Sequence, residues 1–390
     1  MSVMTHLECT RCGKRHEPEQ IQNLCECGSP LFARYDLRRA SHKLTPKNLR
    51  VRARDLWRYE EVLPVRNEAS IISLGEGFTP LLRARRLGDR LGVPNLYLKD
   101  ESSNPTGSFK ARGMAVAVSK AHELGIRRVA VPSAGNAGGA LAAYAARAGM
   151  EAAVYMPEGT PRANYLECVL HGARILIVPG TIKQCGEVMR AALQGTDWFD
   201  VSTLREPYRV EGKKTIAYEI YEQMDGRLPD AVICPTGGGT GLIGMWKAFE
   251  EMQEMGWIAD RRPRLFAVQS QGCAPMVRAF AAGADHAEEW SDPQTLASGL
   301  RVPAAIGDFL ILHALRRSRG AALAVSDGNM LTAVRDIAET EGLTVSPEGG
   351  ATLAGLRTLL RDGFLAGHES IVLLLTASGI KYIEALERTI

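Results

Sequence analysis

Four short segments of the 390-residue chain pair reactive residue types with a pattern that would expose them. In Asn104-Pro105-Thr106-Gly107-Ser108-Phe109-Lys110 a turn hands over to a helix at the lysine. A lysine there meets the positive end of the helix dipole, which favours its neutral, nucleophilic form. The plain alternative is an exposed lysine that opens a helix. Ser133-Ala134-Gly135-Asn136 opens an alanine-rich helix with free backbone N–H groups and a hydroxyl, a cradle for a carboxylate. Asn136 can both donate and accept, and ordinary capping by Ser133 or Asn136 would explain the same residues. Gly237-Gly238-Gly239-Thr240-Gly241 follows an apolar run and precedes a helix, the construction of a phosphate cradle. Thr376-Ala377-Ser378-Gly379 ends the most apolar run, so its hydroxyls could meet a ring nitrogen or simply cap a helix.

Together these segments supply a lysine for a Schiff base, a cradle for one phosphate, a hydroxyl for a pyridine nitrogen and an anion site for an amino-acid carboxylate. Those are the parts of a pyridoxal-phosphate site. Gly239-x-Gly241-x-x-Gly244 also fits the dinucleotide fingerprint, which needs an acid at the end of the next strand. The next apolar run, Leu265–Val268, ends instead in Gln269-Ser270-Gln271, so a lone phosphate is expected rather than a pyrophosphate.

The loops must be held by the elements around them. From about residue 95, apolar runs at 96–99, 129–131, 153–156, 175–178, 231–234, 265–268 and 371–375 alternate with helical stretches at 137–149, 161–172, 181–194, 241–255 and 327–341. Near-continuous apolar strands separated by helices predict parallel strands buried on both faces, a doubly wound α/β architecture. Ligands of such sheets sit beyond the carboxyl ends of the strands, where these four loops fall. Residues 40–75 read as an arm or connector.

Lys+Arg total 47 against 44 Asp+Glu, a net charge of +3, which gives no reason to expect nucleic acid or a membrane surface as partner. No apolar run approaches the ~20 residues of a membrane span, and the N-terminus lacks a signal-peptide pattern. Four of the eight cysteines, Cys9, Cys12, Cys25 and Cys27, crowd the start of the chain, and the others are scattered. That is no disulfide framework. It points to a cytoplasmic protein with reduced thiols and one ribbon-like knot able to hold structural zinc. The histidines form no metal or triad pattern. A nicotinamide dehydrogenase and a non-catalytic zinc-ribbon protein are the weaker readings from other classes.

Ser73-Leu74-Gly75-Glu76-Gly77-Phe78-Thr79-Pro80-Leu81 and the segment ending in Phe109-Lys110 resemble the threonine synthase branch of the tryptophan-synthase-β-like pyridoxal-phosphate enzymes. So do Pro207–Thr215 and Leu375–Lys381. The resemblance implies the fold type II architecture of these enzymes. A Cys-rich segment would occupy 1–38, a larger cofactor-binding domain 45–112 and 216–390, and a smaller substrate-carboxylate domain 113–215. It implies that Lys110 carries the cofactor and shuttles protons. Phe109 would lie beside the cofactor ring and Asn136 would bond the ring hydroxyl. Gly237, Gly238, Gly239, Thr240 and Gly241 would hold its phosphate, and Thr376 its pyridine nitrogen. Ser133, Ala134, Gly135 and Asn136 would clamp the carboxylate of a small amino-acid substrate. The implied reaction turns O-phosphohomoserine and water into threonine and phosphate, with a homodimer as the family habit. A substrate phosphate needs cationic donors, for which Arg112, Arg162, Arg209 and Lys213 are the candidates. Lys110-Ala111-Arg112-Gly113 looks more like serine/threonine dehydratases, so an ammonia-lyase without a phosphorylated substrate is the alternative.

Overall fold

The computed structural model describes residues 1–389. Its strands are β1 Met4–Cys9, β2 Arg15–His16, β3 Leu31–Tyr35, β4 Leu81–Arg83, β5 Leu96–Asp100, β6 Arg128–Pro132, β7 Glu151–Pro157, β8 Arg174–Val178, β9 Trp198–Asp200, β10 Ala231–Pro235, β11 Arg264–Ser270, β12 Ala321–Val325 and β13 Ile371–Leu375. They form three sheets. The largest runs β12-β11-β10-β13-β5-β4, a smaller one β8-β7-β6-β9, and an N-terminal one β2-β1-β3.

Each expected apolar run is a strand, and each expected helix is present to within about two residues, the usual scatter of helix ends. The core strands read as predicted: every side chain of Ile371–Leu375 is buried. Three expectations change. The larger sheet is parallel except at its edge, where β4 pairs antiparallel with β5. β8 is an edge strand of the smaller sheet, and Leu176 and Ile177 are exposed rather than covered on both faces. Residues 40–75 are no loose arm. Leu56, Tyr59, Val62 and Leu63 are fully buried in the main core.

Topology brings the chemistry together. β10, β13 and β5 are neighbours in the larger sheet, so the glycine loop, the Thr376 loop and the Lys110 loop leave adjacent carboxyl ends. The Phe109 N–H donates to the Thr376 carbonyl oxygen at 2.9 Å, joining two of these loops. The fourth loop leaves the end of β6, an interior strand of the smaller sheet, and leads into the helix Asn136–Ala148.

The helix that begins at Lys110 (Lys110–Glu123) crosses the helix Arg209–Gln223. The crossing is backbone to backbone at Gly212, where any side chain would run into the Arg112 carbonyl. At this crossing the Arg112 side chain is fully buried between two carboxylates: its guanidinium meets Glu101 at 2.6 Å and Glu219 at 2.7 Å. Lys99 Nζ donates to Glu219 at 2.7 Å and to Gln223 at 2.9 Å. The network ties β5, the lysine helix and the crossing helix into one unit. Burial alone would raise the Glu219 carboxyl, but Arg112 and Lys99 together hold it at about 2.

Replacing Glu219 by Gln leaves two buried cations sharing one carboxylate. Urea unfolding at neutral pH should show a loss of about 3–5 kcal/mol. A carboxyl depressed by folding stabilises above its unfolded pKa of about 4 and stops doing so as pH falls to its folded value. The gap between wild type and variant should therefore close as pH falls from about 4 toward about 2.

Candidate active site

The four loops enclose a cavity of about 530 Å³. Phe109, Lys110, Ser133–Ala137, Gly237–Leu242 and Thr376 all line it. Lys110 is the first residue of its helix. Burial, and then the positive charge of Arg209, lower its amine from the ordinary lysine range to about 8, with the Glu348 carboxylate pulling the other way. The ammonium is thus the minority form above that pH, and an accessible fraction is neutral at pH 7. The Phe109 ring lies 4.6 Å from Lys110 Nζ on one approach and 4.0 Å from Lys213 Nζ on another.

The glycine loop is shaped by what a side chain would strike. Gly239 sits at φ 78°, in the left-handed region, and caps the helix Thr240–Glu254. A β-carbon on Gly237 would run into the Gly299 carbonyl, and one on Gly238 would lie 2.9 Å from Thr203. Backbone N–H groups at a helix start, unobstructed by side chains, fit a phosphate. In the carboxylate loop, Ser133 Oγ accepts from the N–H groups of Gly138 (2.9 Å) and Gly135 (3.2 Å), so capping is its visible duty. Asn136 donates to the Tyr382 hydroxyl at 3.0 Å, while its Oδ1 is buried with no hydrogen-bond partner. That free acceptor lines the cavity, where a ring hydroxyl could satisfy it. Both Thr376 and Ser378 find work: Thr376 lines the cavity and Ser378 caps the turn Gly379–Tyr382.

A scan against protein families matches residues 72–377 to the pyridoxal-phosphate dependent enzyme family. Among curated relatives, threonine synthase of Methanocaldococcus jannaschii is 37% identical over 381 residues, covering 97% of this chain and 94% of that protein. Threonine synthase of Methanosarcina acetivorans is 34% identical over 97% of this chain and 92% of its own length.

The chain belongs to the pyridoxal-phosphate-dependent enzyme family.

Among solved structures, a fungal L-serine ammonia-lyase from Rhizomucor miehei superposes with TM-score 0.68 at 27% identity, covering 80% of this chain and 96% of that one. The processed form of threonine deaminase isoform 2 from Solanum lycopersicum shares the fold, with TM-score 0.66 at 22% identity over 82% of this chain and 89% of that one. The architecture is thus the fold type II arrangement of this family, and the protein is a pyridoxal-phosphate-dependent lyase. The cavity suits that cofactor: a depressed lysine, a glycine cradle at a helix start and an unsatisfied amide oxygen all face it.

None of the four cations expected to meet a substrate phosphate lines the cavity. Arg112 is consumed by Glu101 and Glu219, so its guanidinium has no donor to spare. Arg162 is exposed at the start of the helix Arg162–Leu170. Arg209 is buried and donates to the Val201 carbonyl at 2.7 Å. Lys213 Nζ donates to the Phe109 carbonyl, and burial with its neighbours Lys110 and Arg209 pushes its pKa far down. Of these, Arg209 acts on the Lys110 amine through its charge. The cations on the cavity wall are instead Lys183, Arg190, Arg205 and Arg301, from segments where the sequence shows no motif.

Glu348 was also missed. Its Oε1 accepts the Gly299 N–H at 2.7 Å, its Oε2 is buried without a hydrogen-bond partner, and it lines the cavity. Ser346-Pro347-Glu348 is legible as a helix start, but nothing local aims that acid at the lysine.

In the N-terminal sheet, the sulfurs of Cys9, Cys12, Cys25 and Cys27 all lie within 4.8 Å of one another. Cys9 and Cys27 approach to 3.4 Å, and Cys12 and Cys25 to 3.7 Å. Four sulfurs about 2.3 Å from a tetrahedral zinc would stand about 3.8 Å apart, so the cluster could close on one ion. The short Cys25-x-Cys27 spacing does not prevent this convergence.

In protein stripped of cofactor, labelling of Lys110 by an amine reagent, followed by peptide mass spectrometry, should rise through a midpoint near pH 8. Glu348→Gln removes the charge that favours the ammonium, so its midpoint should move lower. Arg209→Gln removes a repelling cation and should move it higher.

Proposed function

We propose that this enzyme converts O-phosphohomoserine and water into threonine and inorganic phosphate. One observation carries the reading: Arg190 and Arg205 converge on the cavity with no ion-pair partner among the described residues. Burial, then the charge of Arg190, lowers the Arg205 pKa, with Asp200 offsetting only part. Two half-buried guanidinia held together at the cavity wall call for an anion, and a phosphate ester supplies one. Threonine or serine bring no such dianion. The relatives named threonine synthase, aligned over nearly the whole chain, support the same choice.

Pyridoxal phosphate, when bound, would supply an electron sink that stabilises negative charge beside the substrate amino group. The residues would do the rest. Lys110 would hold the cofactor and, as a neutral amine, move the protons at the α- and β-carbons. Phe109 would flank the ring, Gly237–Gly241 would hold the cofactor phosphate, and Asn136 and Thr376 would orient the ring by its hydroxyl and nitrogen. The Ser133–Asn136 loop would grip the substrate carboxylate at its helix start. Arg190 and Arg205 would neutralise the phosphate that leaves the γ-carbon with its bonding electrons, before water adds at the β-carbon.

We also propose that the four N-terminal thiolates hold a structural zinc. The eight cysteines are unpaired, which suits the reducing cytoplasm, and no helix among the described residues is long and apolar enough to cross a membrane. A second copy of the chain would cover Leu166, Val169, Leu170, Ile380 and Ile383, all large apolar side chains left exposed. Sedimentation should then return twice the monomer mass, and a charged residue at Leu170 should halve it.

Incubation with O-phosphohomoserine should release phosphate and threonine in equal amounts. Arg205→Gln should raise KM for that substrate about tenfold to a hundredfold while the cofactor absorbance stays. A 2-oxo acid from threonine, with no phosphate from the ester, would instead identify an ammonia-lyase, the activity in the name of the Rhizomucor miehei enzyme. Protein purified without chelator should carry one zinc per chain, and Cys9→Ser should lose it.

A further inference from the structure

We infer that Asn23, in the cysteine-bearing ribbon, is a positioning residue for the substrate-phosphate wall of the cavity. Its side-chain amide donates twice into one distant segment, to the Asp200 carbonyl at 2.8 Å and the Arg205 carbonyl at 3.1 Å. Those two carbonyls bracket a turn whose Ser202, Thr203 and Arg205 all line the cavity. One NH₂ group therefore staples both ends of the turn to the ribbon.

The turn needs such a staple. Leu204 within it sits at φ 57°, a left-handed conformation that costs a branched, non-glycine residue about 1–3 kcal/mol and persists only where the surroundings over-determine it. The internal bonds are short-range: the Arg205 N–H donates to the Ser202 carbonyl at 3.1 Å, and Asp200 Oδ1 accepts the Ser202 N–H at 2.8 Å. Neither reaches outside the turn. Val201 within the turn is also tied to its surroundings, its N–H donating to the Ala130 carbonyl at 2.9 Å and its own carbonyl accepting from Arg209 at 2.7 Å. Asn23 adds an anchor that holds both ends at once, and the buried Leu204 side chain adds packing.

The anchor is itself held firmly. Asn23 lies between Cys12 and Cys25, inside the loop that the sulfur cluster closes. The ribbon is in turn pinned to the helix behind Lys110 by the Tyr35 hydroxyl, which donates to Glu211 at 2.8 Å in a buried cluster with Lys214 and Lys247. The path runs from the sulfur cluster to Asn23, then to the 200–205 turn, where Thr203 abuts Gly238 of the cradle and Arg205 faces the cavity. The ribbon thus sets the geometry of the wall that carries Ser202, Thr203 and Arg205 while contributing no lining residue of its own among those described.

This inference rests on the phosphate-ester reading above, and its test separates the two. Asn23→Asp keeps the side-chain shape but removes both N–H donors. In the cofactor-loaded, zinc-replete full chain it should raise KM for O-phosphohomoserine and the inhibition constant of inorganic phosphate together, each about tenfold. kcat should stay within about twofold, and cofactor absorbance and zinc content should not change. Hydrogen–deuterium exchange should quicken in peptides spanning 200–205, in Asn23→Ala as well. Equal KM and phosphate inhibition in a folded, zinc-containing variant would overturn the inference. So would unchanged exchange at 200–205 in both variants, or a lowered melting temperature with both constants unmoved. If wild type released no phosphate from the ester, the reaction proposed above would fall, while calorimetric binding of inorganic phosphate and the exchange rates would still judge Asn23.

Discussion

A buried ammonium crowded by other cations gives up part of its hold on its proton, and the site is built around that constraint. Lys110 opens a helix, where the dipole already disfavours positive charge, and Arg209 and Lys213 approach from the crossing helix. Left unbalanced, this crowding of cationic groups would push the helices apart. The balance comes from Glu206 and Asp200 beside Arg209, from Glu101 near Lys213 and from Glu348 across the cavity, while Glu219 is taken up by Arg112 and Lys99. The Glu101 and Glu219 carboxylates are taken up by other cations, and Glu348 is the carboxylate whose charge acts on the Lys110 amine. The lysine amine is thereby held at about 8, low enough for an accessible neutral fraction, while the helix pair stays closed.

The same arrangement explains the division of labour between sheets. Three adjacent strands of the larger sheet deliver the lysine, the glycine cradle and Thr376, so the groups suited to one rigid cofactor share one rigid support. The smaller sheet delivers the carboxylate loop, and its strand β9 leads into the turn carrying Arg205. Groups suited to holding a cofactor and groups suited to gripping a substrate thus ride on different sheets. Lys381, which donates to the Thr106 carbonyl at 3.0 Å and pairs with Glu167 at 2.6 Å, bridges them on the far side.

The four loops were legible in the sequence because each is a local device. A strand end, small or hydroxyl residues and a helix start follow one another within ten positions, and their physics needs no knowledge of the rest of the chain. The parallel core was legible for a similar reason: runs such as Ile371–Leu375 can be apolar throughout only if both faces are covered. The cations that line the cavity were not. Arg112 stands two residues from the lysine, yet a helix turns it away from the cavity into Glu101 and Glu219. Arg190 and Arg205 carry no local pattern, and only the approach of the 182–193 helix to the 200–205 turn makes them neighbours.

The amino-acid sequence by itself determined the fold class, the cofactor chemistry and the strand-end loops that line the cavity, because strand burial, helix starts and glycine-rich turns act over a few residues. Tertiary structure alone decided which charges face the cavity, that Glu348 opposes Arg209 at the lysine, and that Asn23 reaches a turn some 180 residues away, in keeping with its bonds spanning 177 and 182 positions. Electrostatic and hydrogen-bond partners are chosen by distance in space. That distance is set by how helices cross and sheets stack, which no window of the chain contains.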